Sequence, residues 1–158
     1  MPSLRTKRIK SLKEYISFVE AFRGKRTSPA WYRGCGNISH ELKPSLYRHK
    51  PSRIIEDLMA LEKRLVARFQ QRSIPFHTRH IANNWEWVFL MQHYGVPTRL
   101  LDWSESPLMA LFFATSARHE LGSRGSPVFK SDAAIWLLDP VQWNKKSVDL
   151  KSFSGDDG

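Results

Sequence analysis

Two stretches of this chain are apolar on almost every side, and only sixteen residues, Gln92 to Pro107, lie between them. The first is Trp85-Glu86-Trp87-Val88-Phe89-Leu90-Met91, the second Leu108-Met109-Ala110-Leu111-Phe112-Phe113-Ala114. A helix with no polar face has to be buried, so both are expected at the centre of the molecule. Gly95 supplies a C-cap for the first, and Pro97 prevents its resumption. Ser106 followed by Pro107 is a strong start signal for the second. Arg99 to Trp103, between them, reads as a short strand. The chain is therefore expected to fold around a polar junction held by rigid neighbours, a setting that suits a ligand site.

Upstream, Ser11 and Glu14 form an S-x-x-E capping box, and Leu12, Tyr15, Ile16, Val19 and Phe22 follow helical spacing up to Gly24. Trp31-Tyr32-Arg33-Gly34 reads as a strand ending at a tight loop, with Trp31 and Arg33 on one face and Tyr32 on the other. Arg33 beside glycine can present its guanidinium to a phosphate or carboxylate; equally, it can pair with a structural acid. Ser52 is expected to cap a helix to about Gln71, with Arg53, Lys63, Arg64, Arg68 and Arg72 outside its buried side or beyond its end. Ala133 to Leu138 is a continuous apolar strand, and Gly122 to Lys130 a loop. These elements define an α+β fold: a single compact domain of about four helices on a small mixed sheet. Its expected limits are residues 11–150, between a basic flexible lead-in at 1–10 and a disordered tail at 151–158. Three strands make a poor sheet, which suggests either further strands that the sequence does not reveal or a C-terminally incomplete domain.

The length suits one domain, and the apolar fraction of 41% and charged fraction of 25% are ordinary for a globular protein. No run approaches the ~20 apolar residues of a membrane span, and Met1 to Lys13 lacks the apolar core of a secretory signal. One cysteine, Cys35, excludes an internal disulfide and suits a reducing compartment, so the expected location is cytoplasmic. Cys35 is either a nucleophile, with no base assigned to it, or a small packed thiol. His40 and His49 alone do not make a metal set. Charge is uneven: residues 1–79 carry eighteen Lys/Arg against six Asp/Glu, whereas residues 80–158 carry seven against nine. The basic first half favours a nucleotide or nucleic acid partner, although a solvated helix face accounts for it equally well.

Taken together, Trp31-Tyr32-Arg33-Gly34, Leu42-x-Pro44-Ser45-Leu46-Tyr47-Arg48, the junction with its Ala110-Leu111-Phe112-Phe113-Ala114 helix, and Ala134-Ile135-Trp136-Leu137-Leu138-Asp139 resemble the FRG domain family. That family is named for its [FY]-R-G motif. The resemblance runs from about residue 31 to 140. Cys35 stands where the family often has Gln, and a polar Gln-x-Gly motif near the family's C-terminus is missing. The resemblance implies the fold neighbourhood more than a chemistry. A further structural analogy, to ADP-ribosyltransferases, implies an Arg on an early strand, a Ser-x-Ser strand end leading into an Ala-rich helix, and a later acid or amide. Arg33, Ser104-Glu105-Ser106 and the Ala110 to Ala114 helix fill the first two roles, and the third falls beyond residue 158.

Three functions follow as expectations. The first is an NAD-binding, ADP-ribosyltransferase-like or NAD-cleaving enzyme. Arg33 or Arg99 would hold the pyrophosphate, Tyr32, Tyr94 or Trp103 would stack on nicotinamide, and His93 would hold a ribose hydroxyl. Asp102 or Glu105 would steady the oxocarbenium-like state. Gly34, Thr98, Ser104 and Ser106 complete this candidate site. The bland alternatives are that His93 answers the helix dipole and that Arg99 and Asp102 form an ion pair. The second is a non-catalytic module for nucleic acid or another anionic partner, and the third a hydrolase or nuclease using His and Asp.

Overall fold

The structure is a computed structural model, and it describes residues 5–24, 28–49, 54–76, 81–116, 120–121 and 127–147. Six α-helices occur among these: α1 (Leu12–Arg23), α2 (Ser45–His49), α3 (Ile55–Ser73), α4 (Asn84–His93), α5 (Pro107–Thr115) and α6 (Pro140–Ser147). A 3₁₀ turn, Ile74–Phe76, continues α3. The strands are β1 (Trp31–Cys35), β2 (Glu120–Leu121), β3 (Pro127–Val128) and β4 (Ala134–Leu138). The fold is α+β, as the sequence implies, with α1, α3, α4 and α5 answering the four expected helices. The chain divides into two compact units, one made of Met1–His40 with Trp103–Gly158 and the other of Glu41–Asp102.

In the first unit β1 pairs antiparallel with β4, and β2 with β3, so both ladders are antiparallel rather than mixed. Tyr32, Tyr15, Val19, Ala30 and Ala110 form the core, wrapped by Ile9, Ile16, Phe22, Leu111, Ile135 and Leu137. The start of α1 follows the cap signal: the Glu14 amide donates to Ser11 Oγ at 3.2 Å. Glu14 itself accepts from the Lys10 amide, one residue before the cap. Residues 5–10 have no regular structure; Lys7 forms an ion pair with Glu14 and Arg8 one with Asp132. The loop expected at 122–130 is in part a ladder, since Pro127–Val128 is β3; residues 122–126 lie outside the described residues, as do Ser52, Arg53 and the tail 151–158.

In the second unit α3 starts after Ile54 without a side-chain cap, and α4 is capped by Asn83, whose Oδ1 accepts from the Glu86 amide. Leu46, Val88, Met91, Thr98 and Glu62 are its buried residues of note. Arg99 to Trp103 joins no ladder; in place of the expected strand is an irregular segment, with a bend at Arg99, held by side chains. Neither apolar helix is buried on all sides. Val88 and Met91 are buried on α4 while Trp85 and Phe89 are exposed; Ala110 and Ala114 are buried on α5 while Leu108, Phe112 and Phe113 are exposed. For α5 the cause is the close seat of its small residues on β1, described next. No described helix is long and apolar enough to cross a membrane.

Candidate functional site

The candidate residues fall into a group in each unit. In the first, β1 is bonded on both edges. Its register with β4 sets Arg33 opposite Trp136 and Tyr32 opposite Leu137. On the other edge Tyr32 and Ser104 exchange both backbone hydrogen bonds, at 2.8 and 2.9 Å. Side chains of paired residues share a face, and faces alternate along a strand. Tyr32, 1% exposed, and Gly34 therefore turn to the core and α5. Trp31, Arg33 and Trp136 turn to the opposite, half-buried face. Arg33 thus shares one face of the ladder with its cross-strand partner Trp136.

The glycine of the Tyr-Arg-Gly triplet has a steric cause. A Cβ on Gly34 would lie 1.9 Å from the Ala110 carbonyl oxygen and 2.7 Å from the Ala114 nitrogen. The backbone of α5 rests directly on β1, which is possible only with Gly below and Ala above. The start of α5 is equally fixed. The Ser106 amide donates to Ser104 Oγ at 3.1 Å, Ser106 Oγ accepts from the Met109 amide at 3.4 Å, and Pro107 has no amide to satisfy. Tyr15 donates its hydroxyl to the Pro107 carbonyl at 2.8 Å, and burial first, then neighbouring Tyr32, pushes its pKa up to about 12. Ser104 and Ser106 are thus engaged in shaping the helix start, and Glu105 between them is exposed.

In the second unit Thr98 is fully buried and saturated. Its amide donates to Ser45 Oγ, its carbonyl accepts from the Leu46 amide, and its hydroxyl donates to Gln92 Oε1 while accepting from the Leu100 amide. Gln92 in turn donates to Asp102 Oδ2 at 2.9 Å. Arg99 forks onto Glu62, Nε to Oε1 at 2.8 Å and a second bond to Oε2; the hydrogen bond to Glu62 raises the guanidinium pKa further. The side chain of Glu62 is 6% exposed and that of Arg99 45%. His93 and Tyr94 are both exposed, edge to face with ring centroids 5.4 Å apart. Arg99, Thr98 and Asp102 therefore hold the segment after α4 in place, and Arg99 finds its acid in α3 rather than three residues along the chain.

Several partners escaped the sequence reading. Trp136 was hidden in a strand that reads as uniformly apolar, and only the register exposes it. Glu62, Gln92 and Ser45 are ordinary helix residues until long-range packing brings Arg99 and Thr98 to them. Cys35, left without a base, has His40 Nδ1 3.6 Å from its sulfur and donates to the Asn37 carbonyl at 3.4 Å. Among the described residues no three His, Cys, Asp or Glu converge as a metal set.

An α+β domain in which a Tyr-Arg-Gly strand is locked to the Ser-Glu-Ser start of an alanine-faced helix is a defined class. The chain belongs to the FRG domain family, whose sequence profile matches residues 28–122. That span includes β1, α5 and every candidate residue, and ends before β4. No curated protein and no solved structure matches the chain.

Proposed function

We propose that the face of β1 carrying Arg33 binds NAD, and that the domain is ADP-ribosyltransferase-like. One observation supports this above the others: β1 carries Arg33 opposite Trp136 in its ladder with β4, while its neighbour Tyr32 bridges to Ser104 at the head of the Ser104-Glu105-Ser106 turn. A dinucleotide needs a cation for its pyrophosphate and a flat apolar surface for its rings, and an Arg paired across the ladder with a Trp offers one of each. In the reaction class, the N-glycosidic bond to nicotinamide breaks, the bonding pair leaves with nicotinamide, and an acceptor nucleophile bonds to the ribosyl carbon and gives up a proton. Glu105 is the exposed carboxylate beside Ser104 that would face the positive ribosyl centre.

Thermal-shift and tryptophan-quenching titrations with NAD test the reading. NAD is expected to stabilise the wild type and quench its fluorescence. Arg33→Ala should weaken binding roughly ten-fold or more, as loss of a charge-assisted contact does. Trp136→Ala should do so with a smaller quench. Equal shifts in wild type and Arg33→Ala, or none in either, would remove NAD from this face.

A further inference from the structure

We propose that the outer face of α3 is a binding surface for single-stranded nucleic acid, formed by Arg64, Arg68 and Arg72 with Phe76 at its end. This surface is independent of the NAD reading and lies in the other unit of the chain.

The three arginines are four residues apart, so on a 19-residue helix they form one stripe that advances ~6 Å per step. All three are exposed. Among the described residues none of them meets a carboxylate at ion-pair distance, whereas Lys7, Arg8, Lys43 and Arg99 each do. The acid that could neutralise the stripe from the same helix, Glu62, is turned to the buried side and held by Arg99. Glu56 and Asp57 sit at the far N-terminal turn, two turns from Arg64. The result is a linear row of guanidinium groups with no carboxylate partner among the described residues, the geometry that follows a chain of phosphates.

Charge alone would fit any polyanion; the aromatic end narrows the choice. The 3₁₀ turn continues directly from α3 and carries Phe76, 82% exposed. A ring that open, four residues past Arg72, offers a stacking platform for an unpaired base, the combination by which proteins hold single strands without reading sequence. A duplex, whose bases are already stacked, gains nothing from it.

Fluorescence anisotropy of the full chain with labelled single-stranded 20-mers of deoxythymidine and of uridine, across a salt series, tests the proposal. Binding should fall with log salt. Each phosphate contact contributes a slope of about 0.7, so replacing Arg64, Arg68 and Arg72 by Ala should flatten the dependence by about 2. Phe76→Ala should weaken binding roughly ten-fold at every salt concentration without altering the slope. Circular dichroism melts unchanged in both variants would establish that the fold persists, since all four side chains are exposed. The proposal is overturned if the wild type fails to bind at low salt, if the triple variant binds with the same slope, or if the stripe is needed for anionic phosphatidylserine vesicles and not for the oligonucleotides.

Discussion

Gly34 shows how little freedom a single position can have. The atoms that a Cβ would strike belong to the backbone of α5, so no rotamer change relieves the overlap. Gly34→Ala should cost about 3 kcal/mol or more in urea unfolding followed by tryptophan fluorescence. Trimming Ala110 to Gly in the same chain should not restore the loss, because the obstructing atom is the Ala110 carbonyl. Restoration would show that side chains, not backbones, set the approach. Tyr15 makes a second residue-scale case. Below pH 10 its phenol is protonated whether the chain is folded or not. Above that, the unfolded chain loses a proton that the folded chain keeps until about 12, so stability falls with rising pH across this window. The loss should be ~2 kcal/mol by pH 12, at ~1.4 kcal/mol per pKa unit, and Tyr15→Phe should remove that part of the pH dependence. The same substitution deletes the hydrogen bond to Pro107, so the comparison to make is of slopes, not of absolute stabilities.

At the level of elements, the local signals at α1 and α5 were obeyed, the helix expected from Ser52 starts instead after Ile54 without a side-chain cap, and the long-range signals were invisible. Ser11 and Ser106 cap where their position promises, and Asn83 caps α4, because a cap depends on neighbours within three residues. Asn83→Ala should therefore lower stability by about 1 kcal/mol. The Arg99–Trp103 strand failed because extended conformation needs only favourable residues, whereas a strand needs a partner edge, and here Glu62 and Gln92 hold the segment from the side. Apolar composition likewise misled on α5. Being apolar all round, it promised burial all round; in the structure small residues face β1 and large ones face out. That asymmetry is measurable. Ala110→Leu should destabilise severely, by about 3 kcal/mol or more, because no room exists above Gly34. Phe112→Ser with Phe113→Ser should change stability by less than about 1 kcal/mol and lower the binding of an apolar dye.

The Glu62–Arg99 fork belongs to the scale at which separate elements meet. The two residues lie 37 positions apart, and nothing in the local sequence of either announces the other. The partners differ in burial, so their removal should differ in cost. Arg99→Ala leaves a buried carboxylate without its cation and should cost about 2 kcal/mol in urea unfolding; Glu62→Gln leaves a half-exposed guanidinium in water and should cost about 1. An equal cost for both would mean that the pair behaves as a surface ion pair.

Across the whole chain, the family match, the junction and the charge asymmetry were all legible in the sequence, but the junction did not resolve as one object. Its boundary runs between Asp102 and Trp103, where the chain passes from one unit to the other. Arg33, Trp103, Ser104, Glu105 and Ser106 therefore belong to one unit, and His93, Thr98, Arg99 and Asp102 to the other. The basic excess divides in the same way, with the arginine stripe on α3 and the candidate NAD cation on β1. Two binding activities carried by different units should be separable by mutation. Arg33→Ala should lose the NAD shift and keep single-strand binding, and the triple Ala variant of Arg64, Arg68 and Arg72 should do the reverse. Loss of both activities in either variant, with the fold intact by circular dichroism, would overturn the assignment of the two activities to separate residues.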